Sequence, residues 1–476
     1  MADAETDGAD LGGLQRLLGG ALSVEHFLDQ YYDKQSLVLR REAILDGSSG
    51  DHPSLPSHIL TLDELDELLV RVLLPGSPSE LLIFENLRFT SDYATPHIAY
   101  ASGASLILNK VDKCLPSAHA LCSSLALGLR YAYANLYLTP PDSQTVPPHS
   151  DDHDVFIIQL HGRKHWRVWP TAHPLSVRRP FADEQAGKDG RHPSAQLTAA
   201  SLGEPEIDTM LEAGDVLYIP RGVIHVADTS GADAAAAVAS GSAAIEPSLH
   251  LTVAIPTADL SVSSTILCAV RTACFGARPF RRGLPLGPFP GACGGESAAS
   301  CKAEGTRDED ATLATAAWHR EFEERWQEAH AAVTPALMVK TTSRRLAVQR
   351  EKQQRAYKRS NEAYERAIAS GDCVALRHGT RLVKAVPMEL RLPSAEWPLT
   401  DLRRVAQSVP LPGASMRPAF IHTPPELHKP LAAFEAWPVG TVFALEELPA
   451  RDDFLRACAA RSLCGLGVAQ LVAPSS

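Results

Sequence analysis

Hydrophobic positions along the chain change their spacing several times, and each change predicts a different kind of element. Within Leu11 to Leu45, SVEHFLDQYY carries apolar residues at helical spacing, while SLVLR reads as a strand. Thr61 to Leu74 is again helical in pattern. From Ser105 to Pro256 the style shifts to short β-type runs: SLILN, ANLYLT, DVFIIQL, HWRVWP, DVLYIP and LHLTVAI. Gly, Pro and Asp clusters separate them, which is the punctuation of an all-β barrel or sandwich.

Two breaks interrupt this pattern. Residues 231–244, GADAAAAVASGSAA, have neither periodicity nor large apolar groups and read as a flexible surface insertion. Residues 276–306 are dense in Gly and Pro and read as a linker that ends the β domain. Beyond it, Trp318, Phe322 and Trp326 recur every four residues, so they line one face of a long helix ending near Ala332. That face either packs on its own chain or forms a dimer interface. Arg344 to Lys358 is basic and helical, suited to a solvated face or to nucleic-acid contact. The last segment alternates the short strands RLVKAV, TVFAL and VAQLV with the helical stretches TDLRRVAQSV and RDDFLRACAARSL. A helix followed by a terminal β pair is compatible with a winged-helix module, as with other small α+β domains. The expected division is an N-terminal extension at 1–104, a β domain at 105–275, a linker at 276–306, a helical region at 307–373 and a terminal module at 374–476.

Composition narrows the class. With 476 residues, 45% hydrophobic and 21% charged, the chain has an ordinary globular make-up and enough length for two or three domains. A net charge of −11 argues against a protein that coats nucleic acid with its whole surface. Nine scattered cysteines, an odd number with no C-x-x-C pair, favour reduced thiols. The acidic start MADAETDGADLGG reads as neither a secretory signal nor a mitochondrial presequence, and no window approaches the length of a membrane span. An intracellular protein is expected, with nothing in the composition to separate cytoplasm from nucleus.

The chemistry is concentrated in Pro147 to Pro170, PPHSDDHDVFIIQLHGRKHWRVWP. His149 and Asp151 are two residues apart, and residues i and i+2 of a strand project from one face, so an imidazole and a carboxylate point together. His225 follows 76 residues later, after a Gly-Asp turn, an apolar strand and a Pro-Arg-Gly turn. In a double-stranded β-helix those strands lie side by side, which lets His225 complete a triad with His149 and Asp151. Two histidines and one carboxylate on one face of an octahedral ion leave three positions open, the arrangement of non-haem Fe(II) oxygenases. Either element alone would mean little in a chain with 18 histidines. The order H-x-D, basic strand, G-D-x-L-Y-x-P-x-G-x-x-H is what carries the assignment.

On these residues, chiefly 135–169 and 214–225, the sequence resembles the JmjC ribosomal oxygenases, 2-oxoglutarate-dependent hydroxylases of ribosomal proteins, some also described as histone lysine demethylases. The resemblance implies an α+β chain with a jelly-roll (cupin) JmjC core, N-terminal helices, a helical dimerisation region and a C-terminal winged helix. It implies Fe(II) on His149, Asp151 and His225, with Lys164 pairing the distal carboxylate of 2-oxoglutarate; neighbouring Arg163 is the residue most easily confused with it. Asn135, Tyr137 and Thr252 fall where family members line the pocket with polar groups, or serve as ordinary strand residues. His250 is left out of the metal set as a structural histidine. Position 150, commonly aromatic in the family, is Ser here.

The implied reaction couples oxidative decarboxylation of 2-oxoglutarate to hydroxylation of a protein side chain. The resemblance favours a histidine of a large-subunit ribosomal protein, with arginine hydroxylation as the close alternative and histone lysine demethylation as a further activity. It also implies a homodimer, no membrane association and a nuclear or nucleolar location. Two readings of other classes compete: a non-catalytic cupin scaffold, and a cupin isomerase or dioxygenase that uses Mn or Fe without 2-oxoglutarate. A scaffold has no use for all of His149, Asp151, His225 and Lys164, and Lys164 separates the second from an oxoglutarate enzyme.

Overall fold

A computed structural model describes residues 11–45, 59–93, 95–170, 202–230, 246–257, 259–277, 280, 308–390, 419–421 and 424–472. The 231–244 insertion, nearly all of the 276–306 linker, the TDLRRVAQSV stretch and the side chain of Trp318 lie outside the described residues.

The N-terminal part contributes helices α1 (Gly12–Leu18), α2 (Val24–Gln30), α3 (Arg41–Leu45), α4 (Leu65–Leu73) and α5 (Pro96–Ala101), with strands β1 (Leu37–Leu39), β2 (Glu80–Glu85) and β3 (Arg88–Thr90). Their starts are written locally. The Ser23 side chain accepts from His26 N to cap α2, and Thr95 caps α5 with Pro96 in its first turn, each satisfying an amide that the helix cannot.

Next come β4 (Ser105–Asn109), α6 (Pro116–Leu129), β5 (Tyr133–Thr139), β6 (Asp154–His161), β7 (Arg163–Trp169), β8 (Ile207–Glu212), β9 (Val216–Ile219), β10 (Ile224–Asp228) and β11 (Ser248–Ile255). The expected short strands are present, but α6 is a helix inside the stretch read as all β. One antiparallel sheet runs β1-β9-β6-β11-β5-β4-β2-β3, and a second runs β10-β7-β8. Isolated bridges Gln144↔Asp228 and His149↔His225 lay residues 144–149 along the free edge of β10. The order β9-β6-β11-β5 facing residues 144–149, β10, β7 and β8 is that of a double-stranded β-helix.

Strand β6 shows how the layers form. Val155 and Ile157 pack between the sheets with Trp166, Val168, Leu217 and Ile219, while Phe156 and Ile158 face the helices. Both faces are covered, so the strand is a continuous apolar run rather than an alternating one. On the helical side Phe27 of α2 lies 4.9 Å from Tyr218 and 5.6 Å from Phe156, centroid to centroid. Burying side chains of this size contributes roughly 1.5–3 kcal/mol each.

The remaining elements are α7 (Val262–Gly276), α8 (Asp308–Ala332), α9 (Pro335–Ser370), β12 (Arg381–Lys384), β13 (Met388–Leu390), β14 (Ala419–Ile421), α10 (His428–Ala436), β15 (Val442–Ala444), α11 (Asp453–Gly465) and β16 (Ala469–Leu471). Residues 1–258 and 351–476 form one compact unit, and residues 259–350 another. In the first, a small sheet β15-β12-β16 joins the same hydrophobic core as the N-terminal helices. Buried Asp66 of α4 holds the two together: it receives Arg461 Nε and Nη2 of α11 at 2.8 and 2.7 Å, His97 Nε2 at 2.9 Å and Leu376 N at 2.6 Å. The second unit exposes Val262 and Leu267 on α7, Phe322 and Trp326 on α8 and Val339 on α9. No helix of the described residues is long and apolar enough to cross a membrane.

Candidate metal centre

His149 and Asp151 sit on the segment that pairs with β10, not inside a regular strand. His149 N donates to His225 O at 3.1 Å and His225 N to His149 O at 2.8 Å. This reciprocal pair locks the two residues opposite each other, with ring centroids 4.5 Å apart. Gly222 N of the Pro-Arg-Gly turn donates to the Asp151 carbonyl at 2.8 Å, which fixes the third residue to the same corner. Ligand atoms of His149, Asp151 and His225 all lie within 4.8 Å of one another, the cluster of this kind found among the described residues. His225 Nε2 stands 3.7 Å from Asp151 Oδ2.

The donor set suits a divalent transition metal. A carbonyl can only accept, so His149 Nδ1–H donates to Pro147 O at 2.9 Å and His225 Nδ1–H to Val223 O at 3.1 Å. Each imidazole therefore presents a bare Nε2 lone pair toward the cluster, the outer hydrogen bond that metal-bound histidines use to fix ring and tautomer. Burial, helped by neighbouring His149 and opposed by Asp151, pushes His225 down to about 4, so it stays neutral and able to ligate.

Lys164 stands on the barrel-facing side of β7 and is 2% exposed. Its Nζ donates to Thr139 Oγ1 of β5 at 2.8 Å, and Thr139 is linked on to Thr145 and Ser105. Among the described residues no carboxylate pairs with it. Burial pushes Lys164 down to about 7, with the Asp228 carboxylate opposing. A buried cation without a counter-ion is costly unless an anion arrives. Arg163, by contrast, is exposed and points to the other face of the strand.

The other expected pocket residues occupy adjoining positions. Thr252 pairs with Asn135 across β11 and β5, and both belong to the barrel-facing rows. Asn135 Oδ1 accepts from Lys110 N at 2.9 Å, so the carbonyl end of its amide is held by the backbone after β4. Tyr137 lies cross-strand from His250, the rings parallel within 6° and 4.8 Å apart. Ser150 is buried between the two residues of the H-x-D pair, and its hydroxyl has no partner among the described residues. Trp166, which the sequence did not single out, spans the pocket: its ring is 6.2 Å from that of His225 and 5.5 Å from that of His250.

The chain is 29% identical over 288 residues to a bifunctional lysine-specific demethylase and histidyl-hydroxylase NO66 of Drosophila yakuba, covering 58% of this chain and 37% of that protein. It is 32% identical over 223 residues to the Dictyostelium discoideum protein of the same name, covering 44% and 40%. Ribosomal oxygenase 1 of Gallus gallus is 47% identical over 97 residues, 20% of this chain and 14% of that one. The chain thus spans well under half the length of these curated relatives. A structure of YcfD, a ribosomal oxygenase from Escherichia coli in complex with cobalt and 2-oxoglutarate, aligns over 96% of this chain and 99% of that one at 16% identity and a TM-score of 0.36. The JmjC domain family model matches residues 116–247, the stretch that holds His149, Asp151, Lys164 and His225, so this part of the chain is similar to a JmjC domain.

Proposed function

We propose that the protein is an Fe(II)- and 2-oxoglutarate-dependent protein hydroxylase acting on a histidine of a ribosomal protein. One observation carries the reading: two imidazoles with Nδ1 tied to backbone carbonyls share a corner with a carboxylate, and a buried lysine without a counter-ion lies in the same barrel. His149, Asp151 and His225 would hold the metal, and Lys164 the distal carboxylate of the co-substrate. When bound, ferrous iron and 2-oxoglutarate supply the oxidising chemistry that couples decarboxylation to succinate with insertion of oxygen into a C–H bond. The chain's own residues orient the co-substrate and keep water from the cluster: Trp166 and the Tyr137–His250 pair wall the cavity, and Lys164 supplies the fixed charge. Asn135 and Thr252 add polar groups on the same wall.

The names of the relatives support the ribosomal substrate and leave arginine hydroxylation and histone lysine demethylation as neighbouring activities. We read residues 105–275 as the catalytic domain, and the helical region after the linker as a homodimer interface, supported by the exposure of Phe322 and Trp326. The module after residue 374, where α11 leads into β16 beside β12, is read as winged-helix-like, and a nuclear or nucleolar location is consistent with a ribosomal substrate. Incubating the protein with Fe(II), 2-oxoglutarate and ribosomal proteins or histone tails, then mapping modifications by mass spectrometry, tests the assignment. A gain of one oxygen on a histidine is expected. Succinate release without any modified ribosomal residue would remove the proposed substrate class.

A further inference from the structure

Buried polar atoms are almost always hydrogen-bonded, so each orphan calls for a physical reason. Several orphans share the barrel: His250 Nδ1, Trp166 Nε1 and Gln159 Oε1 have no partner among the described residues. Their places are set by strand register. His250 of β11 pairs with Tyr137 of β5 on one side and Gln159 of β6 on the other, so the three share a row of the large sheet. Thr139, which holds Lys164 Nζ, pairs with Ser248 two residues along the same strands. At a rise of about 3.4 Å per residue the lysine's anchor is one row, roughly 7 Å, from His250. On the opposite side, Trp166 touches the rings of both His225 and His250. The sequence of groups across the cavity is therefore metal cluster, Trp166, His250 beside Tyr137, and Lys164.

From this geometry we infer that His250 is a specificity-determining residue that donates a hydrogen bond from Nδ1 to the distal carboxylate of the bound oxo acid, beside Lys164. The inference rests on the reading of the site as a 2-oxoglutarate pocket and adds a contact to it. His250 is 2% exposed and held flat against Tyr137, one row from Thr139, which anchors Lys164, and its ring adjoins that of Trp166 beside His225. Its ring plane is thus fixed before a ligand arrives, and its Nδ1, without a partner among the described residues, is left to donate to an entering acceptor. Burial and the nearby Lys164 ammonium hold the imidazole well below its usual range, so it acts as a neutral donor and adds no second positive charge.

The test is a binding titration of the Mn(II)-loaded full chain with two five-carbon acids, 2-oxoglutarate and 2-oxopentanoate, the second lacking the distal carboxylate. His250→Phe keeps an aromatic ring against Tyr137 and removes the nitrogen. It should weaken 2-oxoglutarate by about ten- to hundred-fold, the range for a hydrogen bond to a charged group, and leave 2-oxopentanoate within about threefold. His250→Asn, whose amide reaches the Nδ1 position, should recover most of the lost affinity. If thermal melting shows the phenylalanine variant unfolded, His250→Leu makes the same comparison. Equal loss for both acids, or no loss for either, overturns the inference and returns His250 to a packing role. A wild-type protein that does not distinguish the two acids defeats instead the 2-oxoglutarate reading beneath it.

Discussion

His149 and His225 are joined by two reciprocal backbone hydrogen bonds of 3.1 and 2.8 Å, although 76 residues separate them in the chain. A bridge between backbones fixes the geometry of this candidate metal site more firmly than side-chain contacts alone, because it sets both Cα positions independently of any ion. The cluster should therefore survive loss of a ligand. Asp151→Ala is expected to keep its fold and melting temperature within a few degrees while metal affinity drops by at least about 100-fold. Iron stoichiometry by elemental analysis, beside a melting curve, checks this; wild-type iron content in the variant would exclude Asp151 as a ligand.

Lys164 gives the site a pH signature. Burial pushes Lys164 down to about 7 against the pull of the Asp228 carboxylate, and the His250 imidazole lies beside it on β11. A bound dianion favours the charged form, so above about pH 7 binding must take up a proton. The dissociation constant for 2-oxoglutarate is expected to be flat below pH 7 and to rise by up to about tenfold per pH unit above it. Calorimetry in two buffers of different ionisation heat would register the proton uptake, and equal heats at pH 8 would contradict it.

The same lysine costs stability. Its folded value lies below the unfolded 10.5, so between about pH 7 and 10.5 the unfolded chain binds more protons and stability rises with pH. Below pH 7 the full penalty applies. Lys164→Met, which fills the space without the charge, should stabilise the protein by roughly 1–3 kcal/mol at pH 7 while abolishing 2-oxoglutarate binding. A variant both less stable and still able to bind the co-substrate would reverse the role assigned to Lys164.

How much of this could be read in the sequence depends on where the physical signal lies. The strands were legible because β6, β7, β9 and β11 are short apolar runs bounded by Gly, Pro and Asp. The grouping of His149, Asp151 and His225 was legible from the order of the motifs, H-x-D, then an apolar strand, a Pro-Arg-Gly turn and a histidine, although His149 and Asp151 lie outside a regular strand. Helix α6 was not, since its buried stripe, Ala118, Leu121, Cys122, Leu125, Ala126 and Leu129, is made partly of small residues and is blurred by the exposed apolar Leu127 and Ala120. Nor was Asp66, whose partner Arg461 lies 395 residues away, or His250, whose unpartnered nitrogen exists only once β5, β6 and β11 pair.

Asp66 is itself open to test. Burial would raise its carboxyl, but hydrogen bonds from Arg461 and His97 outweigh burial and hold it below the usual value. Its contribution is present above the unfolded value of about 3.8 and is lost as pH falls through the lower folded one. Asp66→Ala leaves the half-buried Arg461 guanidinium, His97 and the Leu376 amide without their shared acceptor and should cost about 2–4 kcal/mol in urea unfolding near pH 7. The gap to wild type should shrink in acid. A difference that stays constant down to pH 2 would show that the pair is not what joins α4 to α11.

Gly162 links the strand order to the pocket. It turns β6 into β7 with a φ of +62°, and a Cβ there would lie 2.1 Å from Pro247 O, a backbone atom that cannot swing aside. Gly162→Ala adds left-handed strain to that collision, so the hairpin must open, at a cost of at least about 2 kcal/mol. Lys164 is two residues further on, whereas His149, Asp151 and His225 are held by the bridge and by Gly222 at the other end of the strands. The substitution should therefore weaken 2-oxoglutarate binding by an order of magnitude or more while changing metal affinity less than threefold. Parallel titrations with Mn(II) and with 2-oxoglutarate separate the two effects, and equal losses in both would mean that the hairpin supports the whole barrel rather than the lysine.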